Sequence, residues 1–341
     1  MRVAVYYSNK DIRIEERPIP EINDDEVLVK VMSSGICGSD VMEWYRIKKA
    51  PIVLGHEIAG IVEKTGKNVK NFKIGDRVFV SHHVPCMKCH YCLNSHHTAC
   101  ETLHKTNFDP GGFAEYLRVP KINLEFGTFK LPQNISFDEG TFIEPIGTIV
   151  RAQRLAGLGE NQTLLIIGSG ISGLMHVKVA KSKNVKKIIA ADINEYRMNA
   201  AKKFGAHYSL NANDDIISKI KEINENRLAD IVIVCTGALK AAQQALTCVD
   251  KGGTILFFAV PKPEEKMEIP ITDFWRNEVR IMTSYGAAPN DLEESIKLIE
   301  SKKLNLHEMI THKLKFDEIQ TGFQLVAEGK DSIKVIVEPN R

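Results

Sequence analysis

With 341 residues and 43% hydrophobic content, the chain is long enough for two domains with separate cores and too balanced to be disordered. Lys+Arg 45 against Asp+Glu 43 leaves a net charge of only +2, so no bulk field points to nucleic acid or an anionic membrane, and a small-molecule partner is expected. The longest apolar runs, Thr163-Leu-Leu-Ile-Ile and Ile231-Val-Ile-Val-Cys, are strand-length and far short of the roughly 20 residues of a membrane span.

The N-terminus, Met1-Arg-Val-Ala-Val-Tyr-Tyr, alternates like a strand and lacks the apolar block of a signal peptide, which makes the cytoplasm the expected location. Val27-Leu-Val-Lys-Val, Ile58 to Val62, Arg77-Val-Phe-Val and Phe113 to Val119 follow as short strands separated by Gly, Pro, Asn and Asp, predicting a β-rich, barrel-like domain to about residue 145. From residue 163 the pattern becomes apolar strand, helix, apolar strand. Leu164-Leu-Ile-Ile, a helix through Lys181, Lys187-Ile-Ile-Ala-Ala, a helix from Glu195 to Phe204, Ile231 to Cys235, a helix near 240 to 248, and Thr254 to Ala259 predict a parallel doubly wound sheet. Past Tyr285 one amphipathic helix, Leu292 to Ile299, and a final strand, Ile333-Lys-Val-Ile-Val, are expected. These last residues are too few for a third domain and should pack on the first. The expected boundaries are 1–147 with 286–341 for one domain and 148–285 for the other.

Seven cysteines are unevenly spent. Cys37, Cys235 and Cys248 stand alone, the last two as core residues. Cys86-x2-Cys89-x2-Cys92-x7-Cys100 places four thiols within fifteen residues, three of them at a turn-like spacing that converges on one tetrahedral ion, so a closed structural zinc is expected. The alternative, two disulfides, conflicts with the strain of adjacent C-x2-C pairs and with a reducing compartment. His90, His96 and His97 read as solvated residues of this lobe. Separately, Cys37-Gly-Ser39-Asp40 and Gly55-His56-Glu57 supply a thiolate, an imidazole and a carboxylate. Zinc held by Cys37 and His56 with one carboxylate and an exchangeable oxygen would be an open, catalytic site, although each residue alone reads as packing.

Gly168-Ser-Gly170-Ile171-Ser-Gly173 follows an apolar strand and opens a helix, the context of the dinucleotide fingerprint, where helix N-terminal amides face a pyrophosphate. Asp192 ends the next strand 19 residues after Gly173. Its carboxylate suits the ribose hydroxyls and repels a 2′-phosphate, favouring NAD over NADP. Arg197, the one nearby cation able to meet that phosphate, reads more simply as a solvated helix position. Cys235-Thr236-Gly237 and Ala259-Val260 end strands on the ligand-binding edge, where their backbone would line the nicotinamide half.

The string G-H-E-x2-G-x5-G-x2-V, here Gly55-His56-Glu57, Gly60, Gly66 and Val69, resembles the signature of zinc-containing medium-chain alcohol dehydrogenases. The resemblance runs along essentially the whole chain, through Cys37-Gly-Ser-Asp, Gly75-Asp-Arg-Val, the four-cysteine lobe, Gly111-Gly-Phe-Ala-Glu-Tyr, Phe142-Ile-Glu144-Pro and the glycine motif. It implies an α/β fold class, a GroES-like β-barrel catalytic domain plus a Rossmann cofactor domain, with two zinc ions per subunit and NAD. It also implies a homotetramer or homodimer joined at an edge strand of the nucleotide domain. Glu144 stands where alcohol-oxidising members often carry cysteine, while sorbitol and threonine dehydrogenases resemble this chain in having Glu there, so the polyol branch is implied. The same resemblance makes Asp40 the acceptor for the free ring nitrogen of His56 and Ser39 the acceptor of the substrate proton. Three residues after that hydroxyl the sorbitol and threonine enzymes have His, and this chain has Met42.

Zn²⁺ with Cys37⁻, neutral His56 and Glu57⁻ is already neutral, so Glu57 and Glu144 are expected to alternate as ligands or one of them to act through water. The other reading of Glu144 is a surface carboxylate at a loop end. His56 follows Cys37 by only 19 positions, fewer than in sorbitol or threonine dehydrogenases, and that loop carries Arg46, Lys48 and Lys49. These either hold a substrate phosphate or carboxylate or form a solvated run. His83 resembles a pocket histidine of threonine dehydrogenases. The leading expectation is NAD-linked oxidation of a secondary hydroxyl of a polyol or polyol phosphate. A threonine or simple secondary-alcohol dehydrogenase, and a redox-silent NAD- and zinc-binding regulatory protein on the same fold, are the alternatives. The intact set of Cys37, Ser39, His56 and Glu57 argues against the last.

Overall fold

Between residues 148 and 285, short runs rich in Ile, Val and Leu alternate with helices. The strands are β1 (Thr163–Ile167), β2 (Lys187–Asp192), β3 (Tyr208–Asn211), β4 (Ala229–Val234), β5 (Val249–Phe257) and β6 (Arg280–Thr283). They lie in the order β3-β2-β1-β4-β5-β6, and every pair is parallel. β1 is buried along its whole length, which is why it reads as an unbroken apolar run rather than an alternating one. The strand order reverses between β1 and β4, opening the crevice at their carboxyl ends where such sheets bind ligands. The helices Ile216–Ile223 and Leu239–Cys248 pack on one face around Leu165, Ile189, Val232 and Ile255.

In the computed structural model, which describes residues 1–341, this nucleotide-type unit spans Thr148–Tyr285, and a second compact unit comprises Met1–Gly147 with Gly286–Arg341. The second unit is built on the ten-residue strand Val27–Ile36. Its Val27, Val29 and Val31 point into one core with Ile58, Val62, Val78, Val80 and Leu117, the period of two expected of a strand with one buried face. Val27–Ile36 is antiparallel to Glu57–Thr65 over most of its length and to Tyr116–Val119 over its first residues. At its far end it is antiparallel to the C-terminal strand Lys334–Glu338. A strand that changes partners along its length curls the sheet, giving the barrel-like shape. Arg2–Ser8 forms a small second sheet with Asp11–Glu16 and Ile52–Val53.

The chain from 286 onward thus completes the first unit by strand addition. It contains two helices rather than the one expected: Pro289–Glu300, and also Ile319–Glu328, which buries Ile319, Gly322 and Phe323. Gly322 in mid-helix reads as a breaker from sequence. In the fold it is a close-contact residue, since a Cβ there would stand 2.7 Å from Ile36 Cδ1. The edge strands β3 and β6 and the helix Ile216–Ile223 were likewise not expected, because short, partly exposed edge strands lack an apolar run. The strand expected from Phe113 begins only at Tyr116. No helix is long and apolar enough to cross a membrane.

Candidate active site and metal centres

The sulfurs of Cys86, Cys89, Cys92 and Cys100 lie within 4.8 Å of one another. Two tight turns bring them there: the single helical turn His90–Leu93 carries Cys92, and the short 3-10 turn His97–Ala99 delivers Cys100. All seven cysteines are free, and the sulfurs of Cys89 and Cys92 are 3.5 Å apart, well beyond the roughly 2 Å of a disulfide. The N–H of Cys86 donates to Cys100 Sγ at 3.4 Å. Burial raises the Cys100 thiol, yet backbone N–H donors led by Cys86 outweigh it and bring it below the usual thiol range. Burial and the neighbouring Cys89 and Cys100 push Cys92 well up. Four thiolates cannot coexist there without a cation among them, and four converging soft donors fit zinc in a closed structural site. His90 and His96 are exposed and His97 is half-buried, and none joins the cluster.

The second cluster follows from strand register. Cys37 directly succeeds Val27–Ile36 and Glu57 opens the strand antiparallel to it, with Gly35 opposite Glu57, so the Cys37 sulfur, a His56 ring nitrogen and a Glu57 oxygen fall within 4.8 Å of one another. Asp40, fully buried, accepts the Cys37 N–H at 3.1 Å through Oδ2 and places Oδ1 3.4 Å from His56 Nδ1. That leaves Nε2 as the ring nitrogen free for a metal. Burial works against a charged His56, but the anionic groups of Asp40 and Cys37 hold its pKa well above the usual value. The pocket calls for positive charge, which fits a divalent cation among a thiolate, an imidazole and carboxylates. Glu144 stands in the first turn of Ile143–Leu155, outside the tight cluster but within its field. Burial, with Glu57 and Asp40 adding and His56 and Lys334 opposing, raises it to about 7.

The loop cations separate. Arg46 turns inward onto Ser39, Lys49 reaches the hydroxyl of Tyr45 at 3.1 Å and lies over its ring, and Lys48 is exposed. Met42 precedes the turn Glu43–Arg46 and makes no capping bond. His83 stacks on His82 with ring centroids 3.8 Å apart, and His82 in turn lies 4.8 Å from His56. Burial, reinforced by His56, brings His83 down to about 4, so it is neutral at pH 7.

In the other unit, Gly170 caps the helix Ile171–Ser182 that follows β1. A Cβ on Gly173 would stand 1.9 Å from the carbonyl oxygen of Gly168, so no side chain fits where this helix crosses the loop. Asp192, at the end of β2, accepts the N–H of Ser169 at 2.6 Å and that of Asn194 at 2.9 Å, one on each oxygen. The N–H of Arg197 caps onto Asn194 Oδ1 at 3.2 Å, which places Arg197 in the first turn of Glu195–Phe204. Cys235 and Thr236 directly follow β4, and the N–H groups of Cys235 and Ala259 are tied to the carbonyls of Ile167 and Val234. Val260 is exposed beside them, its carbonyl 3.0 Å from where a Gly237 Cβ would be. Gly168, Cys235, Thr236, Ala259 and Val260 therefore share the carboxyl-end edge of adjacent strands. Burial raises the thiols of Cys235 and Cys248.

Comparison with known proteins identifies the family. The model of the alcohol dehydrogenase GroES-like domain matches residues 23–132, and that of the zinc-binding dehydrogenases matches residues 172–301. Sorbitol dehydrogenase of Bacillus subtilis is 33% identical over 354 residues, covering 100% of this chain and 98% of that protein. The chain belongs to the zinc-containing medium-chain polyol dehydrogenase family. Among solved structures, galactitol-1-phosphate dehydrogenase from Escherichia coli superposes with a TM-score of 0.88 at 28% identity, covering 99% of this chain and 100% of that one. An alcohol dehydrogenase from E. coli CFT073 complexed with NADH gives 0.89 at 27% identity, covering 99% of each chain.

One residue of this dehydrogenase's cluster escaped sequence reasoning. Lys334, in the C-terminal strand, forms an ion pair with Glu57 in which the side chains are 1% and 2% exposed, and its ammonium lies 5.1 Å from the centre of the Phe142 ring. The slot exists because residue 35 is glycine: a Cβ there would stand 2.5 Å from Glu57 Oε2 and 2.6 Å from Lys334 Nζ. The only sequence signal was a lysine inside an otherwise apolar strand, which reads as an outward-facing position.

Removing one member of a buried pair leaves the other uncompensated, at a cost of about 3–5 kcal/mol. Lys334→Met is therefore expected to lower the urea midpoint of the first unit by a corresponding amount. An unchanged midpoint would mean that Glu57 has another source of compensation. For the lobe, Cys100→Ser is expected to reduce tightly bound zinc, measured by elemental analysis of the purified protein, from about two ions to about one per chain. Retention of both ions would show that Cys100 is not a ligand.

Proposed function

We propose that this chain oxidises a secondary hydroxyl of a polyol or polyol phosphate, with zinc as Lewis acid and NAD⁺ as hydride acceptor. The observation that carries the reading is the convergence of Cys37, His56 and Glu57 on one point, with Ser39 beside Cys37 and Glu144 in the same field. When bound, zinc would polarise the substrate hydroxyl and the nicotinamide would take up the hydride.

The chain's own groups divide the remaining work. Cys37 and His56 would hold the metal, with Asp40 fixing the imidazole through Nδ1. Because Lys334 neutralises Glu57, the carboxylate left to balance Zn²⁺ and the Cys37 thiolate is that of Glu144. Glu57 then serves as the alternate ligand, released only when Lys334 gives it up. Ser39 accepts the hydroxyl proton. Cys86, Cys89, Cys92 and Cys100 would hold the second zinc. On the nucleotide unit, the glycine loop and the N-terminus of Ile171–Ser182 would take the pyrophosphate and Asp192 the ribose, supporting NAD over NADP. Solved neighbours at 27% and 26% identity carry NADH and NADP respectively, so the preference rests on Asp192 rather than on the neighbours. Seven free thiols, four of them clustered for a metal, favour a reducing compartment such as the cytoplasm.

A second copy of the chain is the expected partner. β6 is an edge strand, and Ile271 (70% exposed), Trp275 (76%) and Ile281 leave an apolar surface beside it, which suits an isologous strand-to-strand contact in a dimer or tetramer.

The reading is tested by initial rates of NADH formation over polyols, polyol phosphates, threonine and short alcohols, with zinc-replete and chelated enzyme side by side. Zinc-dependent turnover of polyols or their phosphates is expected. Stoichiometric zinc and NAD binding with no turnover of any alcohol would instead favour the regulatory protein. Trp275→Glu is expected to shift the mass measured by light scattering toward one chain. An unaltered assembly would place the contact elsewhere.

A further inference from the structure

The short loop between Cys37 and His56 does something its sequence does not announce. The turn Glu43–Arg46 carries Arg46 back toward the metal cluster, where Nε donates to the carbonyl of Ser39 at 2.9 Å and Nη2 donates to Ser39 Oγ at 3.2 Å. Nη2 is also 3.6 Å from Asp40 Oδ1, and the guanidinium carbon lies 5.0 Å from the centre of the Tyr45 ring. The Arg46 side chain is only 15% exposed, so these contacts hold it in one place.

A hydroxyl has one hydrogen and two lone pairs, whereas a guanidinium only donates and stays protonated at any pH a protein survives. The lone pair of Ser39 that faces Arg46 is therefore occupied throughout the reaction. One lone pair remains for the substrate O–H, and the Ser39 hydrogen has to point to an acceptor other than Arg46. Met42, three residues after Ser39, can neither take nor give a proton.

We propose that Arg46 is a positioning residue that gives the Ser39 hydroxyl a fixed direction, receiving from the substrate on one side and passing its own proton to water on the other. This rests on the dehydrogenase reading above. The transfer balances. The substrate O–H bond breaks as a new Oγ–H bond forms, while the original Oγ–Hγ bond breaks toward a water. The carbinol carbon loses its hydride to NAD⁺, so serine ends neutral, solvent gains one proton and the cofactor gains two electrons.

The test is a double-mutant cycle on zinc-loaded enzyme with the best neutral polyol substrate and, in parallel, a phosphorylated or carboxylated one, using Ser39→Ala, Arg46→Met and both together, with zinc content and NAD affinity checked in each. Arg46→Met is expected to lower kcat on the order of tenfold, with KM little changed and a larger solvent deuterium isotope effect. In the Ser39→Ala background the same change should cost nothing further. Arg46→Lys, which keeps a donor, should recover part of kcat and guards against a merely misfolded methionine variant. An equal loss from Arg46→Met with and without Ser39 would overturn the proposal and assign Arg46 to Asp40 and the metal. So would a loss confined to the KM of phosphorylated or carboxylated substrates, which would make Arg46 an anion receptor. Wild-type enzyme that oxidises no alcohol gives a different result, since it removes the dehydrogenase reading itself.

Discussion

The catalytic unit depends on one crowded point, where the strand Val27–Ile36 meets Glu57–Thr65 on one side and Lys334–Glu338 on the other. Gly35 leaves room there for the buried Lys334–Glu57 pair and nothing more. The pair joins the end of the chain to the residue beside His56, and the register it locks sets Cys37 against His56. A buried ion pair is poor evidence of net stability, because desolvating two charges consumes most of their attraction. Its value here is positional: a strand slipped by one residue would turn Lys334 to the opposite face and leave Glu57 buried and unpaired.

Legibility followed sequence distance. The cysteine lobe, the Gly55-His56-Glu57 string and the glycine loop are local patterns, and a short peptide suffices to state which atoms converge. β1, β2 and β4 were legible for a similar reason, since strands buried on both faces advertise themselves as apolar runs. The Lys334–Glu57 contact spans 277 positions and appears only once the C-terminal strand has been added to the first sheet. Ile319–Glu328 was hidden because Gly322, needed for close approach to Ile36, imitates a helix breaker. The inward turn of Arg46 was hidden because three cations in a loop look alike until the fold gives one of them partners.

Both candidate metal centres show the same electrostatic signature. In the lobe, one thiol is pulled down by backbone N–H groups while another is pushed up by burial and its neighbours. In the open cluster, His56 is driven toward its charged form and Glu144 toward its neutral one. Each set distributes protons so as to limit the negative charge that its own donors create. A divalent ion would do this more fully, which ties ligand identity to charge balance. As metal sites the two would differ in closure: four thiol donors would leave no vacancy, whereas a thiolate, an imidazole and two carboxylates, one held by lysine, would leave a position for substrate.

In the proposed reading, Asp192 acts through the glycine loop as well as through its charge. Each carboxylate oxygen already accepts one backbone N–H, from Ser169 in the glycine loop and from Asn194 at the next helix start. Those bonds use one lone pair per oxygen and leave another on each for a ribose hydroxyl. Exchanging Asp192 for a residue without an acceptor, such as alanine, would remove the repulsion of a 2′-phosphate, but it would also free the N–H of Ser169, which helps set the path of the loop that should meet the pyrophosphate. The proposed preference for NAD and the path of the glycine loop would thus share one carboxylate, so relaxing the first would disturb the second.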